Sequence, residues 1–288
     1  MKARNIVLTG VPRSGTTLTC HLLNTLADTV ALHEPMFVKD MGRVSGHDAV
    51  CRQVERFFEE TRASLLAEGV APSKVVEGHV PDNSVGGRSS TSELRRSRAN
   101  RGTIKVEKPL TDQFTLCVKH PSAFTAMLDA LANRLPCYAI IRHPLAVLAS
   151  WNSVQFPVQR GHAPAAERLD QKLRETLGAI EDCLERQLHL LSWFFGRYDR
   201  VLPREQVVPY ERIVATGGAA LAVITPEAAA LCEKLESRNR NHLYDQELMP
   251  VLARKLLASD GAYWKFYSKQ SVTELFEGDT KVTGGLAA

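Results

Sequence analysis

The chain has 288 residues, of which 44% are hydrophobic and 24% charged, as in a globular protein with a sizeable core. Its net charge of +4 suits an anionic partner, and without lysine-rich runs or interleaved aromatic and basic residues we expect no nucleic acid partner. The sequence shows no signal peptide, no apolar run long enough to span a bilayer and no paired cysteine motif. We therefore expect a cytoplasmic protein with buried, reduced thiols and no membrane span.

The first predicted unit is a strand, a loop and a helix. Ile6-Val-Leu8 predicts the strand, and the loop runs from Gly10 through Pro12, Arg13 and Ser14 to Gly15, Thr16 and Thr17. The two glycines have the spacing of the triphosphate-binding loop G-x-x-x-x-G-K-[ST], but Thr16 stands where that motif has lysine. Backbone N–H groups and the helix N-terminus can still hold an anion. The loop therefore predicts a phosphate site for a ligand other than ATP or GTP.

The next segments alternate between strands and helices. Thr29–Leu32 predicts a second strand, followed by His33-Glu34, and apolar residues at helical spacing predict a helix over 47–68. Residues 82–103 are rich in Gly, Ser and Arg, including Arg88, which predicts a mobile solvated loop. A lid or an acceptor-binding loop is the alternative for this segment.

The second half continues the alternation. Further strands are predicted at 104–107, at 115–118 before Lys119-His120, at 137–141 before Arg142, and at 207–209 before Tyr210-Glu211. Helices are predicted over 122–133, from 145 through Ser150, and over 165–195, 226–236 and 244–257, with an irregular loop at 153–164. This order predicts an α/β fold of three layers, a central parallel sheet flanked by helices, in a single domain over 1–288.

Two motifs together carry a family resemblance. Gly-Val-Pro-Arg-Ser-Gly-Thr-Thr (10–17) and Ile-Ile-Arg-His-Pro followed by Ser150 resemble the P-loop sulfotransferases that use 3′-phosphoadenosine-5′-phosphosulfate, PAPS. The resemblance is firm over 4–36 and 104–152 and extends to 206–214. It implies that the first loop holds the 5′-phosphosulfate and that Arg142 and Ser150 hold the 3′-phosphate. It also implies 3′,5′-ADP (PAP) as product, no metal, and a small-molecule or glycan acceptor. A homodimer is compatible with it.

The resemblance also suggests catalytic roles. Arg13 and Lys119 would stabilise charge on the leaving oxygen, and the hydroxyls of Ser14, Thr16 and Thr17 would hold the 5′-phosphate. Tyr210-Glu211 resembles the family's Tyr-Glu pair at a strand end, which implies a structural rather than a catalytic role, with Tyr210 among the residues that contact the donor. The stretch Trp264–Ser268 faintly resembles a segment that contacts the adenine and 3′-phosphate, although packing on the core explains it equally well.

The general base has three candidates. Glu34 is offset from Arg13 as the catalytic Glu is in tyrosylprotein sulfotransferases, and an ion pair between Glu34 and Arg13 is compatible with that role. His120 follows Lys119 directly, whereas cytosolic sulfotransferases have Lys-x-His, and His33 ranks last.

Other readings of the sequence remain open. A P-loop kinase or NTPase with a degenerate loop is one alternative, and a non-catalytic nucleotide-binding protein on the same fold is another. No motif in the sequence points to a particular acceptor. Its pocket would involve residues 36–103 and 153–165, where aromatic side chains form either an acceptor wall or part of the core: Phe37, Phe57, Phe58, Trp151 and Phe156.

Overall fold

Seven strands occur in the computed structural model, which describes residues 4–43, 46–87 and 94–283. They are β1 (Arg4–Gly10), β2 (Thr29–His33), β3 (Val70–Val75), β4 (Asn100–Lys105), β5 (Thr115–Lys119), β6 (Cys137–Ile141) and β7 (Val207–Pro209). Five of them form a parallel sheet in the order β2-β5-β1-β6-β7. Because β2, β5 and β6 are buried along their whole length, they consist of short continuous apolar runs rather than alternating ones.

Helices flank this sheet. They are α1 (Thr16–Thr25), α2 (Val38–Met41), α3 (His47–Glu68), α4 (Pro121–Ala126), α5 (Leu128–Leu131), α6 (Pro144–Asn152), α7 (Pro164–Glu167), α8 (Gln171–Ala179), α9 (Cys183–Val201), α10 (Tyr210–Ala215), α11 (Met249–Leu257) and α12 (Lys269–Thr283). The α/β architecture predicted from the sequence is therefore confirmed. Within the described ranges, none of these helices is long and apolar enough to cross a membrane.

The register of the central sheet aligns its functional end. Lys119 of β5 lies beside Leu8 of β1 on one side and beside His33 of β2 on the other. The residues that follow these strands therefore emerge next to one another at the carboxyl edge, where open parallel sheets bind ligands.

A separate two-stranded antiparallel sheet, β3 with β4, corrects the prediction for this part of the chain. The sequence analysis placed no strand at 70–75 and took 82–103 as a loop, but β4 begins at Asn100. The small sheet contacts β2 directly, because the backbone N–H of His33 donates to Ser73 Oγ at 3.0 Å. Residues 88–93, including Arg88, lie outside the described residues.

Several predicted helices have different limits in the structure. The single helix expected over 165–195 is three helices, α7, α8 and α9, and the helix expected over 122–133 is divided into α4 and α5. The segment 226–236 contains only a short 3₁₀ helix (Pro226–Ala230), and the helix expected from 244 begins at Met249. Among the six free cysteines, Cys183 and Cys232 are exposed, so the expectation of buried thiols holds for four.

Candidate functional site

The loop after β1 is held against β6. A side chain at Gly10 would place its Cβ 2.4 Å from the carbonyl oxygen of Ile140, so this close approach requires glycine. Trp151 Nε1 donates to the carbonyl oxygen of Pro12 at 2.8 Å, and Ser14 Oγ donates to that of Ile140 at 2.7 Å. The Ser14 hydroxyl is therefore buried in the loop's own scaffold and does not face the cavity, contrary to the sequence-based prediction.

The start of α1 faces the cavity with unpaired backbone donors. Gly15 caps the helix in the left-handed region, with φ of 96°. The N–H of Thr19 makes the first helical hydrogen bond, to the carbonyl of Gly15. The N–H groups of Thr16, Thr17 and Leu18 thus have no partner within the helix, and all three residues line the cavity. Such a terminus is suited to an anion.

Arg13 lies at the β6 side of the loop. Its own φ is 72°, and its Nε donates to Ser150 Oγ at 3.3 Å while Nη2 donates to Asn83 Oδ1 at 3.3 Å. The ion pair between Arg13 and Glu34 that the sequence left open as an alternative does not occur among the described contacts, where Glu34 pairs with Lys74 and Lys119. Arg142, at the end of β6, donates from Nη1 to the carbonyl oxygen of Arg13 at 3.1 Å. Arg13 thereby connects the two positions that the sequence analysis paired, Arg142 and Ser150.

The Arg142 guanidinium already has most of its donors occupied. Its Nε donates to Asn239 Oδ1 at 2.8 Å, and Nη2 donates to Tyr244 Oη at 2.9 Å and to the carbonyl oxygen of Arg238. Since a guanidinium has five N–H groups, one remains for a ligand. Arg142 therefore fixes the geometry of this region as well as contributing its charge to it.

Positive charge accumulates around Arg13. Burial, together with the charges of Arg95, Arg142 and Arg238, lowers the pKa of Arg13 to about 10. Arg95 is buried beside the end of α6, where its Nη2 donates to Ser153 Oγ at 2.6 Å. Neighbouring cations repel one another, which disfavours the charged form of each. A bound anion offsets this repulsion.

A carboxylate between two lysines forms the opposite end of the site. Glu34 follows β2 with φ of 48°, accepts from Lys74 Nζ at 2.5 Å and from Lys119 Nζ at 3.1 Å, and lies 3.5 Å from His33 Nε2. Burial would raise the pKa of Glu34, but Lys119, His33 and Lys74 together lower it well below its ordinary value. Lys119 also donates to Thr17 Oγ1 at 3.4 Å, which links this carboxylate to the phosphate loop.

The two histidines beside Glu34 have restricted roles. His120 Nε2 accepts from the backbone N–H of Met36 at 3.1 Å, and burial lowers the pKa of His120 to about 3. The lone pair that a base would use is therefore occupied. Burial also lowers the pKa of His33 to about 4, and its Nδ1 has no hydrogen-bond partner among the described residues.

Tyr210 supports the helix start. A Cβ at Gly15 would lie 2.7 Å from the Tyr210 ring, and the Arg142 guanidinium lies 4.7 Å from the ring centroid. Glu211 accepts from the backbone N–H of His143 and from Tyr267 Oη, as expected for a structural residue. The Trp264 ring packs against Tyr263 and is not among the residues that line the cavity.

One cavity of about 1410 Å³ joins all these groups. Of the sequence-predicted residues, it is lined by Pro12, Arg13, Gly15, Thr16, Thr17, His33, Glu34, Lys119, His120, Arg142 and Tyr210, and not by Ser14 or Ser150. Phe37 and Phe156 line it, whereas Phe57, Phe58 and Trp151 do not. The sequence analysis missed Lys74, Asn83 and Arg238, which come from segments without a motif. No group of three or more His, Cys, Asp or Glu in the described ranges could hold a metal ion.

Comparisons with known proteins give distant matches. No protein-family profile and no curated protein matches the chain. The sulfotransferase domain from the curacin biosynthetic pathway is 12% identical, with 83% of this chain and 77% of that chain covered and a TM-score of 0.38. Sulfotransferase STF9 from Mycobacterium avium is 14% identical (98% and 77% covered, TM-score 0.35), and STF1 from Mycobacterium tuberculosis H37Rv is 13% identical (96% and 77%, TM-score 0.34). All three are sulfotransferases, the family that the two sequence motifs resemble.

Proposed function

We propose that this protein is a sulfotransferase that moves a sulfuryl group from PAPS to an acceptor hydroxyl or amine and releases 3′,5′-ADP. One observation supports the proposal above the others. A single cavity joins a phosphate loop that lacks the nucleotide-triphosphate lysine, an arginine cluster at the end of β6 and a lysine-bound carboxylate at the end of β2.

The arginine cluster fits the 3′-phosphate of the donor. Arg13 and Arg142 line the cavity, and Arg142 has one N–H left for a ligand. Ser150 does not line it, but its Oγ accepts from Arg13 Nε and thereby orients that guanidinium. A phosphate monoester carries close to two negative charges at neutral pH. Its binding here would relieve the repulsion among the arginines. If these arginines were already paired with carboxylates, a bound phosphate would bring no such relief.

The phosphate loop fits the 5′-phosphosulfate of the donor. This group supplies the sulfuryl group, and the bridging oxygen stays on the 5′-phosphate when the S–O bond breaks. The N–H groups of Thr16, Thr17 and Leu18 would hold its oxygens. Lys119 is placed to stabilise the charge that develops on the leaving oxygen, because its ammonium contacts Thr17 of the loop as well as Glu34.

Glu34 fits the role of general base. Its carboxylate is ionised at neutral pH, is partly exposed to the cavity and is oriented by two lysines. It would accept the acceptor's proton as the new bond to sulfur forms, while the electron pair of the broken S–O bond goes to the leaving phosphate. His120 is less suited, since its Nε2 already accepts from Met36.

Isothermal titration calorimetry tests the donor. We expect 3′,5′-ADP to bind at least tenfold more tightly than 5′-AMP or ATP with Mg²⁺. Ser150→Ala removes the charge-assisted hydrogen bond that orients Arg13, so it should weaken 3′,5′-ADP binding about tenfold and leave 5′-AMP unchanged. Ser122→Ala, a hydroxyl that lines the cavity beside α4, is the control and should change neither. Tighter binding of ATP with Mg²⁺, or equal binding of 3′,5′-ADP and 5′-AMP, would contradict the proposal.

A further inference from the structure

The cavity has room for a second molecule at the β2 side. Glu34 and Arg142 follow strands that are three positions apart in the sheet, a separation of roughly 14 Å at the usual strand spacing. The volume of about 1410 Å³ exceeds the roughly 300–1,000 Å³ of a typical single-ligand pocket. The three apolar residues Met36, Phe37 and Val38 follow Glu34 in the chain and line the cavity, whose apolar lining also includes Phe156, Pro157 and Val158.

Phe37 and Arg101 form an ordered contact surface in the cavity lining at the β2 side. The Phe37 ring is 58% exposed, and the Arg101 guanidinium lies 3.8 Å from its centroid. Arg101 Nη1 donates to the carbonyl oxygen of Pro35 at 3.1 Å, and Nη2 donates to that of Met36 at 3.2 Å. Because two carbonyl groups fix the guanidinium against the ring, its orientation is set before any ligand arrives.

This surface carries positive charge without a carboxylate to balance it. In residues 4–43, 46–87 and 94–283, neither Arg101 nor the neighbouring Lys39 contacts an acidic side chain, and both line the cavity. Lys74 differs, because Glu34 neutralises it. Lys39 and Arg101 lie with the β2 edge of the sheet and not with Arg142, so the donor's 3′-phosphate would not neutralise them.

We infer that the acceptor is a molecule with an aromatic or other flat apolar body and an anionic group, which Arg101 and Lys39 bind while the body lies on Phe37. This inference rests on the proposed function, since it takes Glu34 as the point where the acceptor hydroxyl reacts. The anion then lies at the opposite end of the acceptor from the hydroxyl. A neutral acceptor of the same shape would leave both cations without a partner.

Binding of three matched phenols to the protein in complex with 3′,5′-ADP tests the inference. The probes are 4-hydroxyphenylacetate, its neutral amide and the cation tyramine, measured by ligand-observed NMR titration. We expect the anion to bind about tenfold more tightly than the amide and tyramine to bind most weakly. The preference should decrease as the salt concentration rises. Equal affinities for the anion and the amide would overturn the inference.

Variants assign the preference to particular residues. Arg101→Gln should remove most of the tenfold preference, and Lys39→Gln, whose side chain makes no hydrogen bond to the described residues, should reduce it about twofold to fivefold. Lys105→Gln is the matched control on β4, because Lys105 pairs with Glu107 and does not line the cavity. Retention of the preference in both cavity variants would overturn the inference. Failure of 3′,5′-ADP to bind would instead contradict the proposed function. The three phenols would then be titrated into the free protein, where the affinities of the anion and the amide still test whether Arg101 and Lys39 bind an anionic group.

Discussion

Glu34 sits in a backbone conformation that few residues other than glycine adopt. Its φ of 48° directs the chain out of β2 so that the carboxylate contacts Lys119 of β5 and Lys74 of β3. Such conformations persist where the surrounding structure holds them, and they are concentrated at functional sites. The two lysines bind different oxygens of the carboxylate, so its orientation as well as its ionisation is fixed.

Replacement of Glu34 by Gln keeps the shape of the side chain and removes its basicity. We expect the turnover number to fall by about 10²–10⁴, the usual contribution of a general base, while the affinity for 3′,5′-ADP stays nearly unchanged. His120→Gln is the comparison, because its amide oxygen can still accept from the N–H of Met36. It should retain turnover within about tenfold. An active Glu34 variant beside an inactive His120 variant would make His120 the base.

Lys74 should control the protonation of Glu34. Removal of its charge in Lys74→Met takes away a cation that favours the carboxylate, so the pKa of Glu34 rises from its lowered position. The acidic limb of the pH profile of kcat then moves to higher pH, and Lys74→Arg should restore it. Lys105→Met on β4 is the control. A uniform loss of kcat without a shift of the limb would mean that Lys74 only supports the fold.

The strand-end positions of Glu34 and Lys119 could be predicted from sequence, because each follows a recognisable buried strand. The pairing of Glu34 with Lys74 could not be predicted in this way. An ion pair with Arg13 was compatible with the sequence, but Arg13 has φ of 72° and donates to Ser150 instead. Lys74 is forty residues from Glu34, on an antiparallel strand that carries no motif, and only tertiary packing brings the two together.

At the scale of elements, helix breaks were harder to predict than helices. Apolar residues at helical spacing continue through 165–195, yet α8 and α9 begin separately after Asp170 and Asp182. Each aspartate is an N-cap whose Oδ1 accepts a backbone N–H, from Leu173 and Glu185 respectively, at 2.9 Å. Local capping therefore overrides the apolar periodicity.

The two N-cap aspartates should contribute differently to the free energy of unfolding. Asp182 is exposed, and its carboxylate accepts the cap hydrogen bond, so Asp182→Ala should lower the free energy of unfolding by about 1 kcal/mol. Asp170 Oδ2 also accepts from Arg197 Nη2 at 2.7 Å, so Asp170→Ala should cost about 2 kcal/mol or more. Urea unfolding at pH 7 measures both. The exposed neighbour Glu181 provides the control, since Glu181→Ala should change stability by less than about 0.5 kcal/mol. Equal losses for the two caps would contradict the assignment.

Over the whole molecule, positive charge is concentrated at the cavity. Its lining contains eight Lys and Arg residues against three Asp and Glu residues, an excess that is larger than the +4 of the entire chain. The remaining surface is therefore close to neutral, and the field directs anions to one face.

The architecture of the sheet could be predicted because its strands are buried and their periodicity is local. The cavity wall could not, because much of it comes from connecting segments and very short elements that are too short for a periodic pattern: residues 36–39, 82–84, 97–101, 156–165 and 234–238. Such segments acquire their positions only from the packing of the elements around them.

Three buried histidines should make the fold sensitive to mild acid. Burial lowers the pKa of His33 and His143 to about 4 and that of His120 to about 3, against about 6.5 in the unfolded chain. Between these values the unfolded chain binds protons that the folded chain does not, so stability falls as the pH decreases from about 6.5 towards 4. Each histidine lowers the free energy of unfolding by up to about 1.4 kcal/mol per pH unit, and the three together lower it by about 4 kcal/mol per pH unit.

Urea unfolding between pH 6.5 and 4.5 measures this loss. The midpoint concentration should fall steeply over that range, before the carboxylates with lowered pKa begin to titrate. His143→Gln should remove about a third of the slope, because one of the three groups is then absent, whereas Gln in place of the exposed His79 should leave it unchanged. His143 lies outside the cavity lining, so the variant also separates acid stability from the chemistry of the site. A midpoint that stays constant down to pH 4.5 would show that these histidines are protonated in the folded state.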